Sequence, residues 1–149
     1  MKYELPDDNL VPWIGKTAKM MEYFITNYLQ EEGYNITKEQ WILMFHLSQQ
    51  EEIQQNNLAC VSNRNKTSLT RIVTTLEKKG YVKRVPDKLD KRSKLISLTE
   101  DGITLLRNTK YIFEGIKERL SRGISVEESK QMIEILKKVQ QNINPKSCD

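Results

Sequence analysis

Between Lys66 and Lys78 the chain places Thr67, Arg71, Thr74 and Lys78 at spacings that share one helical face. Short hydroxyls and cations of this kind do no bond-making chemistry, for no base or paired carboxylate stands at those positions to activate them. They donate hydrogen bonds and neutralise anions. An arginine so placed can take both acceptors on a guanine edge or clamp a phosphate. Lys66, Ser68 and Thr70 flank the face and suit phosphate oxygens better than base edges.

The opposite side of the same stretch carries Leu69, Ile72, Val73 and Leu76 at i, i+3, i+4 and i+7, one apolar stripe on a helix. Asn65 is a good N-cap, and Gly80 supplies the stop after the last charged turn. Asn63 stands where two helices meet in a tight turn, and Asn tolerates the left-handed backbone such turns use. The stretch reads as the second helix of a helix-turn-helix, offered to a groove of DNA.

Charge supports that reading. Residues 64–94 hold eleven Lys and Arg against three acids, a net +8, whereas the whole chain of 149 residues carries +4, leaving −4 for the rest. A basic segment on an otherwise acidic protein is a nucleic-acid footprint. Tyr81–Val85 and Lys94–Leu98 read as two short strands joined by a polar loop, a wing directly after the helix. In that loop Arg92 suits a narrow minor groove, Lys88 and Lys91 suit phosphates, and Asp90 is placed to orient Arg92.

Elements on either side must hold this unit. A first helix is expected from about Pro12 to about Glu31, with Ile14, Ala18, Met21, Ile25 and Leu29 as its stripe and Gly33 ending it. Its aromatics exceed one core contact and suggest a second partner surface. Thr37 and Gln40 form a capping box that opens a nearly all-apolar helix through Leu47, and Ile53–Val61 reads as the shorter helix before the turn. Thr99 caps a long helix to about Arg122, stopped by Gly123. Ser125 and Glu128 open a last one, in which Met132, Leu136, Val139 and Ile143 form a seam closed by Pro145. These terminal helices need a surface to pack on. A two-fold dimer supplies it; the rival is a monomer that folds them over its own core.

Thr37 to Gly102 is similar to the MarR (multiple antibiotic resistance regulator) family of bacterial transcription factors. Carrying the resemblance are Thr37, Gln40 and Trp41, then Leu58 and Ala59, Thr70 and Arg71, Leu76 to Gly80, Asp90 to Arg92, and Leu98, Thr99 and Gly102. The resemblance implies a mainly α fold with a small β-hairpin wing. A single domain over 1–149 would comprise a winged helix-turn-helix over 37–99 and dimerisation helices in 1–35 and 100–149. It further implies a homodimer on a near-palindromic operator in double-stranded DNA, acting as a repressor. Relief would come from a small aromatic or anionic effector bound between the dimerisation and DNA-binding parts. Many members have Gly where Asn63 stands. Many also carry an Asp at the position of Thr74, where it pairs with the wing arginine, so that tether is expected to be missing here.

Other residues admit two readings. Trp13, Trp41 and Phe45, with His46 beside them, either line an effector pocket or serve as core. Cys60 is either an oxidation switch beside the turn or a small buried hydrophobe. Cys60 and Cys148 have neither the spacing of a disulfide framework nor that of a zinc site, and with one His no metal or other cofactor is expected. No signal peptide or membrane-length apolar run is found, so the chain is expected to be cytoplasmic and free of membrane. No nucleophile–base set or phosphate loop points to an enzyme. The alternative to a DNA-binding regulator is a winged-helix protein-interaction module without specific DNA binding.

Overall fold

A computed structural model describes residues 6, 8–62, 65–87 and 93–143. The chain divides into two compact units, Met1–Leu43 and Met44–Asp149, each described by itself. It is mainly helical, with a small three-stranded antiparallel sheet.

The first unit holds α1 (Leu10–Glu31) and the start of α2 (Lys38–Ser48). Asn9 caps α1, its side chain accepting the Val11 N–H at 3.0 Å, so the helix begins two residues before Pro12. Of the expected stripe, Ile25 and Leu29 are buried, Ile14 and Met21 are half-buried, and Ala18 is exposed. The capping box of α2 forms as expected: the Gln40 N–H donates to Thr37 Oγ1, and the Thr37 N–H donates to Gln40 Oε1, both at 3.3 Å.

In the second unit, β1 (Ile53–Gln54) leads into α3 (Gln55–Val61) and α4 (Lys66–Lys78). Then come β2 (Val82–Pro86), β3 (Lys94–Leu98), α5 (Glu100–Leu120) and α6 (Val126–Ile143). The shorter helix expected from Ile53 therefore starts two residues later. Ile53 and Gln54 are instead a third strand, paired with Ile96 and Leu95 in the order β1-β3-β2. Two residues carry no period of their own; long-range pairing makes them a strand. β2 occupies an edge, where Pro86 sacrifices no ladder bond and Lys83 and Arg84 discourage further pairing.

Gly80 ends the helical run with φ 77°, while the Tyr81 N–H reaches back to the Leu76 carbonyl at 3.0 Å. That left-handed residue turns the chain from α4 into β2 at no Cβ cost. The expected apolar side of α4 is inward: Leu69, Val73 and Leu76 are buried. α5 ends at Leu120, earlier than expected, and Phe113 and Leu120 are less enclosed than Leu105, Ile112 and Ile116. The box opening α6 closes as expected, with Ser125 N–H to Glu128 Oε2 at 2.8 Å and Glu128 N–H to Ser125 Oγ at 3.2 Å.

Candidate nucleic-acid interface

α4 is pinned before it presents anything. Asn65 Oδ1 accepts the Ser68 N–H at 2.8 Å, satisfying a first-turn donor, and the buried stripe fixes the rotation of the helix. The outer face then shows Lys66, Thr67, Thr70, Arg71 and Lys78 exposed, with Ser68 and Thr74 half-buried. The side chains of Lys66, Thr67, Arg71 and Lys78 have no hydrogen-bond or ion-pair partner among the described residues. Thr70 and Thr74 do. Thr70 donates to the Lys66 carbonyl at 2.7 Å and accepts from Gln55 Nε2 at 2.9 Å, and Thr74 Oγ1 accepts from Arg84 Nη2 at 3.1 Å. The face thus divides into four unengaged donors and two hydroxyls already in use. Partial burial at the helix end pushes the Lys79 ammonium below its usual pKa.

Arg84 was the residue that pattern reading passed over. It reaches from β2 to α4, ion-paired with Glu77 and hydrogen-bonded to Thr74, with its side chain only 15% exposed. Arg84 thus ties β2 to α4, whereas the tether expected to be missing between Thr74 and the wing-loop arginine falls outside the described residues. Glu77 and Arg84 lie on either side of the Gly80 turn, so no helix or strand spacing rule relates them. The wing-tip residues Lys88, Asp90, Lys91 and Arg92 lie outside the described residues, as do Asn63 and Arg64 at the turn and Pro145 at the end.

A second joint ties this unit to α5. Thr99 Oγ1 donates to the Gly80 carbonyl at 2.6 Å and accepts the Gly102 N–H at 3.1 Å, while the Thr99 N–H binds the Tyr81 carbonyl at 3.1 Å. One threonine caps α5 and anchors the exit of α4. Gly102 packs so closely that an added Cβ would overlap the Tyr81 carbonyl oxygen.

The four aromatic candidates fall in both units: Trp13 and Trp41 in the first, Phe45 and His46 in the second. Trp13 is 43% exposed and donates its indole N–H to the Pro6 carbonyl at 2.8 Å. Trp41 is half-buried; Phe45 is exposed, with its ring 6.5 Å from that of half-buried His46. Within the second unit a groove of about 400 Å³ is lined by Leu47 to Glu51, Leu98 and Ile103, none of which was a candidate. Cys60 corrects the sequence reading. It is half-buried and disulfide-bonded, so it is not the buried free thiol of the second reading. Spacing along the chain says nothing about which sulfurs a fold brings together. Among the described residues no group of His, Cys, Asp and Glu could hold a metal, and no helix is long and apolar enough to cross a membrane.

Comparison with known proteins places this geometry. The sequence pattern of the MarR family matches residues 36–94, from the residue before the α2 capping box to the first residue of β3. Residues 36–94 of this chain are similar to the MarR family. Solved relatives extend the likeness beyond the matched residues. MepR of S. aureus, in a DNA complex, is 27% identical with TM-score 0.85, the alignment covering 93% of this chain and 100% of that one. A MarR family transcriptional regulator from Streptomyces coelicolor, in complex with DNA, is 22% identical with TM-score 0.85, covering 100% and 96%. A MarR mutant from E. coli complexed with operator DNA is 24% identical with TM-score 0.81, covering 87% and 92%.

Proposed function

We propose that this chain is a DNA-binding transcriptional regulator of the MarR type, a homodimeric repressor of a near-palindromic operator, released by a small aromatic or anionic effector. One observation carries the reading: Lys66, Thr67, Arg71 and Lys78 stand exposed and unengaged on a helix capped at its start and packed along its other side. Unspent donors on a rigid element are what groove recognition takes. Arg71 and Thr67 face base edges; Lys66, Ser68 and Lys78 serve phosphates, with Thr70 and Thr74 bordering them. Lys88, Lys91 and Arg92 of the wing, Arg92 oriented by Asp90, extend the contact into the flanking minor groove. Support for a homodimer comes from α6, an 18-residue helix with no buried residue, whose Met132 and Ile143 are exposed. The effector is read from Trp13, Trp41, Phe45 and His46, and quenching of tryptophan fluorescence by salicylate-like anions checks it.

The deciding experiment is enrichment of duplexes from a random pool, followed by a salt titration of the enriched duplex. A regulator loses affinity steeply with salt, because each neutralised phosphate releases counterions. A protein-interaction module enriches no sequence and shows no such slope.

A further inference from the structure

Two neighbouring glutamines reach the two halves of the DNA-binding surface from one point. Gln54, the last residue of β1, donates Nε2–H to Asp87 Oδ2 at 2.9 Å. Asp87 is only 7% exposed and sits where the chain leaves β2 for the wing loop. The same oxygen accepts from Ser93 Oγ at 3.2 Å, and the Asp87 N–H donates to the Ser93 carbonyl at 3.2 Å. The two sides of the wing neck are thus closed onto a buried carboxylate, which β1 grips from outside the hairpin. Gln55, first residue of α3, points to the other element: its Nε2–H donates to Thr70 Oγ1 on α4. None of these five residues is an unengaged donor on the outer face, so they hold the surface and do not read DNA.

We propose that Gln54 and Gln55 are positioning residues for DNA recognition, one fixing the wing neck through Asp87 and the other fixing α4 through Thr70. The dipeptide then sets the separation between the helix that enters a major groove and the wing that follows the adjacent minor groove. This rests on the DNA-binding reading above. B-DNA fixes the spacing of its grooves, and contacts displaced by an ångström are lost. A bond to a buried carboxylate is charge-assisted and roughly twice as strong as a neutral one, which suits Asp87 to closing the neck of the wing. Short β1, with only two ladder pairs, exists in the fold to deliver these side chains as well as to widen the sheet.

Gln54→Met and Gln55→Met keep side-chain length and remove the donor. Each is measured on a duplex enriched from random DNA by the wild-type protein, and on the same duplex trimmed of the base pairs flanking its half-sites. Gln54→Met loses about tenfold on the full duplex and nothing on the trimmed one, since only the wing is released. Gln55→Met loses on both. The paired exchange Gln54→Glu with Asp87→Asn restores a donor–acceptor pair in the reverse sense, and Ser93 can accept as readily as donate; it recovers the flank-dependent affinity that Gln54→Glu alone loses. Equal losses by Gln54→Met on both duplexes, or failure of the exchange to recover affinity, overturn the inference while leaving DNA binding intact. If the wild-type protein enriches no duplex, the DNA-binding reading fails and takes the inference with it.

Discussion

Arg71 and Arg84 are thirteen positions apart and have opposite fates. Arg84 is spent inside the protein on Glu77 and Thr74; Arg71 is exposed and unengaged among the described residues. The difference is geometric, because one points along the sheet toward a carboxylate and the other points outward from a helix. Arg71→Ala should therefore leave the denaturation midpoint unchanged and weaken operator binding by about 1–3 kcal/mol. Falling discrimination against random DNA identifies a base contact; equal losses and a salt slope flatter by about one unit identify a phosphate contact. No change in affinity would make Arg71 an ordinary solvated side chain. Ser97 makes the complementary case within the sheet. It is 5% exposed, and its hydroxyl has no partner among the described residues. Ser97→Ala removes an unsatisfied buried group and should stabilise the fold by about 1 kcal/mol, read as a raised denaturant midpoint at unchanged slope. A lower midpoint would show that the hydroxyl is satisfied.

At the scale of elements, joints decide more than propensities. Gly102 is held where α5 crosses the Tyr81 backbone, so Gly102→Ala has no room without moving the helix start. Although alanine is the better helix former, this substitution should destabilise by about 1–3 kcal/mol, an overpacking cost, and a chemical melt at fixed protein concentration reads it. An unchanged midpoint would mean that α5 shifts freely against Tyr81. The start of α6 responds to acid instead. The Ser125 backbone N–H, then the Ser125 hydroxyl, hold the Glu128 carboxyl below its ordinary pKa. Stabilisation from a depressed carboxylate is complete above the unfolded-state value and is lost as pH falls through the folded one. Protection of the first-turn amides of α6 relative to intrinsic exchange should therefore fall as pH drops through and below the ordinary glutamate range, whereas in Glu128→Gln it should stay constant. All four expected capping motifs, at Thr37, Asn65, Thr99 and Ser125, were legible because cap and partner lie within three residues of each other. β1 was not, since its only cause is β3 some forty residues on, and the Arg84 tether was hidden by the turn between its partners. The contacts at Gln54, Gln55 and Asp87 were equally silent: glutamine has no periodic signature, and Asp87 looked like one of several polar loop residues.

For the whole molecule the decisive fact is what α6 leaves uncovered. Leu136 and Val139 are half-buried, while Met132 at 58% and Ile143 at 77% exposure continue the same seam into solvent. The sequence showed the seam by its spacing and could not show its partner, because periodicity reports that a face is apolar and not what meets it. Leu136 and Val139 are only partly covered, and no residue of α6 is fully buried, so much of the stripe is left open. In the proposed dimer a second copy would cover these aliphatic side chains, its matching helix offering the same stripe under two-fold symmetry. The protein should then sediment as a dimer at micromolar concentration, with a melting temperature that rises with protein concentration. Leu136→Glu puts an unpaired carboxylate into the seam. Burying such a charge costs several kcal/mol, so the variant should run as a monomer or unfold, and lose operator affinity by far more than any single phosphate contact contributes. Leu136→Met, which keeps volume and polarity, should remain dimeric. A wild-type protein that sediments as a monomer and still binds its enriched duplex with full affinity would defeat the dimer reading and leave the seam of α6 to some other partner.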